Sequence, residues 1–130
     1  MLAVEIVNFW GKDNLKRWSE RSLDDAALPR TSKWFLIEVG LPCQEDWTLR
    51  FDSEADQLPS LPNKRHYRRI GFDDHVPVCL NEKQAGAVIA VETESGGAER
   101  FMNSSVERLG EFLVLYQEYR RIARVVSESV

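Results

Sequence analysis

The stretch from Phe101 to Arg120 constrains this chain more than any other. It closes a run of strand-like segments and then opens the longest and most regular helical pattern in the sequence. Ser104 followed three residues later by Glu107 has the spacing of a capping box, in which the two side chains satisfy free amides of the first turn. Val106, Leu109, Phe112, Leu113, Tyr116, Tyr119 and Ala123 recur at spacings of three and four, which predicts one apolar helical face. Burying each large side chain stabilises a fold by roughly 1.5–3 kcal/mol, so this face is expected to lie on the strands that precede it. Arg120, Arg121 and Arg124 are expected in the last turns, where positive charge suits the helix dipole.

The preceding chain supplies those strands. Residues 2–10 are apolar in bulk, and periodicity alone does not separate strand from helix there; an ordered element joining the core is expected. Leu15 and Trp18 suggest a short helix, and residues 24–29 read as a loop. Thr31 or Ser32 is expected to cap a helix through Lys33–Val39, with Gly40 at the position after it and Pro42 barring continuation. Trp47 to Asp52 alternates apolar and polar residues as a half-buried strand, and Ser53 to Asn63 reads as a surface loop. Tyr67–Phe72 is a further strand, and Val76–Leu80 and Ala87–Val91 bracket the turn-rich Asn81–Gly86 as a hairpin. Ala87–Val91 is apolar throughout and is expected at the centre of the sheet. Gly96-Gly97 offers another reversal, with Ala98 to Met102 returning. The whole reads as α+β: a single domain with a meandering antiparallel sheet covered by helices, the long C-terminal helix packed on it.

Several function classes are disfavoured. A chain of 130 residues with four Trp, three Tyr and six Phe can bury a real core without staples. The net charge of −4 argues against nucleic acid as a direct partner and fits a basic protein partner instead. The N-terminus lacks a basic region and a small-residue cleavage site, and no apolar run spans a bilayer, so a cytoplasmic location without membrane contact is expected. Cys43 and Cys79 form no Cys-x-x-Cys pattern, and nothing in the sequence asks them to pair.

Candidate chemistry is thin. Asp73-Asp74-His75 is the one cluster resembling a metal or acid–base site, but a zinc site needs three or four ligands and the chain has two histidines, His66 and His75. Three consecutive residues after a strand are expected to splay around a turn. A serine hydrolase needs a strained Gly-x-Ser-x-Gly elbow, which is absent, and Ser104 and Ser105 already serve a helix start. Cys79 sits among apolar strand residues, where inert packing is the expected role. The basic run Lys64–Arg69 reads as a solvated edge strand, its charge blocking unwanted pairing. No catalytic residue, metal or cofactor is expected.

One order of motifs remains: a helix ending at Gly40-Leu-Pro42, then Leu49-Arg-Phe51, Ile70-Gly71, Val78-Cys-Leu80, Gly86-Ala-Val88 and Phe101-Met-Asn-Ser-Ser105. Over roughly Trp34 to Tyr119 this resembles the SUKH superfamily of bacterial toxin-immunity proteins, and most closely its fourth family. The turn Asn81–Gly86 lacks the Asp and Thr often seen before the glycine in relatives, and the first thirty residues match only loosely. The resemblance implies a non-catalytic α+β domain that binds and neutralises a protein toxin, often a nuclease, by stoichiometric occlusion. A binding module of the same fold with a regulatory or scaffolding partner is the alternative.

Within that reading the acidic residues matter as a set. Glu45, Asp46, Asp52, Glu54, Asp56, Asp73 and Asp74 fall in or beside expected loops, and if gathered they would form a negative surface for a basic toxin. Trp47 could anchor such an interface, although a large aromatic at a strand start is more simply explained by the core. Acidic loops would steer and hold the toxin while an apolar patch supplies lifetime.

Overall fold

The computed structural model describes residues 1–44, 47–51, 57–94 and 97–129. Residues 2–10 resolve as a helix, α1 (Ala3–Trp10), whose Ile6 and Trp10 are buried. Leu15 and Trp18 are both buried but not helical: Leu15 opens a two-residue strand, β1 (Leu15–Lys16), paired antiparallel with β2 (Leu41–Pro42). Gly11 and the short 3-10 turn Lys12–Asn14 interrupt the helical path between α1 and β1.

The second helix, α2 (Arg30–Glu38), begins three residues earlier than expected, and neither Thr31 nor Ser32 caps it. Pro29 takes the capping position with φ −56°, already set for a helix and with no N–H to leave unsatisfied. Ser32 is instead buried, donating to Glu107 Oε1 at 2.8 Å. The far end is as expected: Gly40 adopts φ +87°, and its N–H donates to the Phe35 carbonyl at 2.8 Å.

The main sheet has six strands: β3 (Leu49–Phe51), β4 (Ser60–Leu61), β5 (Lys64–Asp73), β6 (Val76–Asn81), β7 (Ala87–Val91) and β8 (Glu99–Asn103). Every pairing is antiparallel, in the order β3-β5-β6-β7-β8, with β4 also on β5. The segment expected to be loop up to Asn63 therefore contains β4. The hairpin around Asn81–Gly86 is present, and all five residues of β7 are buried. The basic run departs most from expectation. It is not an edge, because β5 lies between β6 and the short strands β3 and β4, and Arg68 is buried. Its guanidinium donates to the Leu58 carbonyl at 2.6 Å and to Asp25 at 2.9 Å, which satisfies a charge that would otherwise be costly inside.

The long helix, α3 (Val106–Glu128), starts one residue later than a cap at Ser104 requires. Ser105 is the cap and accepts from the Arg108 amide, while Glu107 turns away to Ser32, so no capping box forms. Buried residues are Val106, Leu109, Gly110, Leu113 and Val114; Phe112, Tyr116 and Tyr119 are exposed, and so is Ala123. Burial is confined to the first half, where α2 approaches so closely that a Cβ on Gly110 would sit 2.3 Å from Phe35 Cζ. The helix continues to Glu128, so Arg120, Arg121 and Arg124 precede its last turn.

The helices and one sheet face enclose the larger apolar cluster, which includes Trp10, Trp18, Leu36, Ile70, Val88 and Leu113. A smaller cluster of Leu61, Tyr67, Cys79, Ala87, Ile89 and Val91 stands apart from it.

Candidate functional site

In an antiparallel meander alternate turns share one end, so the β5–β6 turn and the β7–β8 connection come together. Asp73 closes β5, Asp74 takes a left-handed conformation with φ +57°, and His75 completes the turn. Across from them Glu92 and Glu94 leave β7. Asp74, His75, Val76, Glu92, Thr93 and Glu94 line a shallow depression of about 210 Å³. Glu92 and Glu94 carry no signal of their own in the sequence, but the spacing of one hairpin between the two turns places them at this end.

The two aspartates are held differently. Asp73 accepts from Thr48 Oγ1 at 2.8 Å and pairs with Arg100 at 3.2 Å, so local partners take up much of its charge. Asp74 is fixed through its backbone, its amide donating to the Thr48 carbonyl at 2.9 Å, while its exposed carboxylate lies 3.7 Å from His75 Nε2. This turn therefore presents Asp74 outward on a rigid support. Among the described residues no three His, Cys, Asp or Glu side chains could hold a metal ion.

Of the other expected partner-binding residues, Glu45, Asp46, Asp52, Glu54 and Asp56 lie outside the described residues. Their flanks are placed: Leu49 pairs with Asp73, so the chain enters β3 at the acidic turn, whereas Phe51 pairs with Gly71 and leaves from the other end of that strand. Trp47 is 5% exposed and packs edge-on against Trp10 at 5.6 Å and Tyr116 at 5.8 Å. It joins the core, as the simpler expectation had it, and offers no open ring face.

Elsewhere the ionisable groups serve the fold. The Tyr67 hydroxyl donates to Glu99, which also accepts from Lys64 Nζ at 2.9 Å. Burial, together with the Glu99 carboxylate beside it, pushes the Tyr67 phenol up to about 12; the Tyr67 and Lys64 hydrogen bonds hold Glu99 below the usual carboxylate range. Cys43 is exposed, Cys79 is buried in the smaller cluster, and the two are not joined by a disulfide. No helix among the described residues is long and apolar enough to cross a membrane.

Neither the curated proteins nor the solved structures contain a significant match to this chain. A family profile does match, and it covers residues 1–128, well beyond the Trp34–Tyr119 span that carries the resemblance in the sequence. The first thirty residues are thus part of the family pattern, in keeping with the burial of Ile6, Trp10 and Trp18 in the main core. With a match over residues 1–128, an antiparallel six-stranded sheet and a long C-terminal helix packed on it, the chain belongs to the SUKH-4 immunity protein family, whose members are not enzymes.

Proposed function

We propose that this chain neutralises one cognate protein toxin in the cytoplasm by stoichiometric occlusion, with the acidic end of the sheet as the docking face. The observation that carries the docking face is the convergence of Asp74, Glu92 and Glu94 around one depression, with no salt bridge to a Lys or Arg of the described residues. A toxin that acts on nucleic acid carries a basic surface, and an acidic face complements it in both encounter and register. Glu45 and Asp46, which precede the end of β3 at the acidic turn, would extend the negative field, whereas Asp52, Glu54 and Asp56 follow the other end of that strand; Asp73 would position the turn rather than contact the partner. Exposed Phe101 on β8, two residues from Glu99, would supply apolar contact at the rim.

Co-expression with the toxin encoded beside it tests the function, since an immunity protein rescues growth and a scaffolding module does not. The face is tested by reversing Asp74, Glu92 and Glu94 to Lys. Association should slow by about tenfold or more at low salt and lose most of its ionic-strength dependence. Unchanged association and salt dependence would reject this face, and a second reversal set at Glu45, Asp46, Asp52, Glu54 and Asp56 would then show whether the other acidic residues carry it.

A further inference from the structure

From Phe112 onward α3 carries a second apolar stripe that the fold leaves exposed. Phe112, Leu115, Tyr119, Ile122 and Val126 follow one another at intervals of three, four, three and four, the a and d spacing of a heptad repeat. All five are open to solvent, from 51% at Phe112 to 69% at Tyr119. At 3.6 residues per turn, their mean direction lies roughly 170° around the helix from that of the buried residues Val106, Leu109, Gly110, Leu113 and Val114. The helix is therefore apolar on two opposite sides, and the sheet uses only one.

We propose that this stripe is a self-association seam, and that a second copy of this chain covers it as a two-helix coiled contact. Three observations select that occupant. No Asp, Glu, Lys or Arg interrupts the five seam positions, so nothing in the seam demands a partner of opposite charge. A strict heptad stripe is complementary to another of its own kind, because knobs of one helix enter holes of the other, and a two-fold pair presents the same patch from both sides. The area also suffices. The five side chains expose on the order of 600 Å² per copy, so a pair would cover roughly 1,200 Å², the lower edge of a specific interface. Tyr116 and Val125, also exposed, flank the seam and add to it. Two heptads are short for free peptides, but this helix is already nucleated by its proximal half, which removes the main cost of a short coil.

Sedimentation equilibrium of the purified full chain tests this. A monomer has 15.0 kDa. The wild-type chain should shift to twice that mass as concentration rises to about 100 µM, and Tyr119→Glu and Ile122→Glu should each weaken association at least tenfold. Both positions are exposed, so far-UV circular dichroism and melting of the dilute variants should match wild type. Arg124→Glu, on the opposite side of the helix, should leave the dimer intact. A wild-type chain that stays monomeric, or seam variants that dimerise as well as wild type, would overturn the proposal. So would a monomeric chain whose Tyr119→Glu variant loses toxin protection, because the seam would then belong to the toxin.

Discussion

The two halves of α3 are one continuous helix with similar apolar content and opposite fates. From Val106 to Val114 five residues are buried, while residues 121–129 are all exposed. Propensity does not separate them. The difference is the extent of contact: Phe35 of α2 presses against Gly110, and Leu109 and Leu113 join the core with the sheet, whereas further along Trp47 meets Tyr116 edge-on and Arg121 lies over the Phe9 ring. Periodicity therefore tells which residues share a stripe, and only the packing partner tells which stripe is the core.

The largest expected effect follows from that contrast. Leu113→Ala opens a cavity beneath the proximal half and should destabilise the protein by about 2–5 kcal/mol in chemical denaturation. Ile122→Ala, equally apolar and nine residues further on, should stay within about 0.5 kcal/mol in dilute protein. Comparable losses at both positions would mean that the distal half is packed on the chain itself.

A smaller and sharper test uses glycine against alanine. In an isolated helix Ala is better than Gly by about 0.8–1 kcal/mol, so Gly110→Ala should stabilise if propensity ruled. Here the new Cβ meets Phe35 Cζ at 2.3 Å, and overpacking of that kind costs about 1–3 kcal/mol, which reverses the sign. In the distal half nothing opposes propensity, so Ala123→Gly should cost about its intrinsic 1 kcal/mol and no more. A rise in melting temperature for Gly110→Ala would show that α2 does not approach α3 this closely.

The same contrast explains what could be read from the sequence. The hairpins, the buried interior position of β7 (one strand in from the β8 edge rather than at the middle, which is β6), the stop at Gly40 and the long final helix were legible because they rest on local signals: alternation, turn residues and a left-handed glycine. The helix start was misread by one residue because Ser104 and Ser105 both have capping side chains, and Glu107 is drawn off by Ser32, 75 residues away in sequence. Lys64–Arg69 was misread as an edge because β4, which pairs with it at Lys64 and Arg68, is two residues long and lies in a segment that reads as loop. At the candidate site Asp74 was legible as an exposed turn residue. Glu92 and Glu94 became visible only once the meander brought alternate turns to one end, and Arg100 only through its pair with Asp73.

The smallest expected effect lies on the far side of the sheet, where Tyr67 belongs to the cluster that no residue of α3 joins. It serves as a reference for both halves of the helix. At neutral pH, Tyr67→Phe should cost about 0.5 kcal/mol, because the half-exposed Glu99 carboxylate left behind can turn to water. The signature lies in pH. The neutral phenol is the favoured form in the fold, with its pKa raised from 10.0 to about 12. Its contribution to stability is thus fully present below pH 10 and is lost as pH rises through about 12. Glu99 acts in the opposite sense: its folded pKa is lowered, so its contribution is present above the ordinary carboxylate range and is lost as pH falls through the folded value. Denaturation midpoints measured from pH 9 to about 12 should fall more steeply for wild type than for Tyr67→Phe, and the two curves should run parallel near neutrality. The gap should be the same in the Ile122→Ala background, since sites without shared partners add. A gap that changed there would mean that the distal helix is coupled to the outer face of the sheet, and the division of α3 into a packed half and an open half would fail with it.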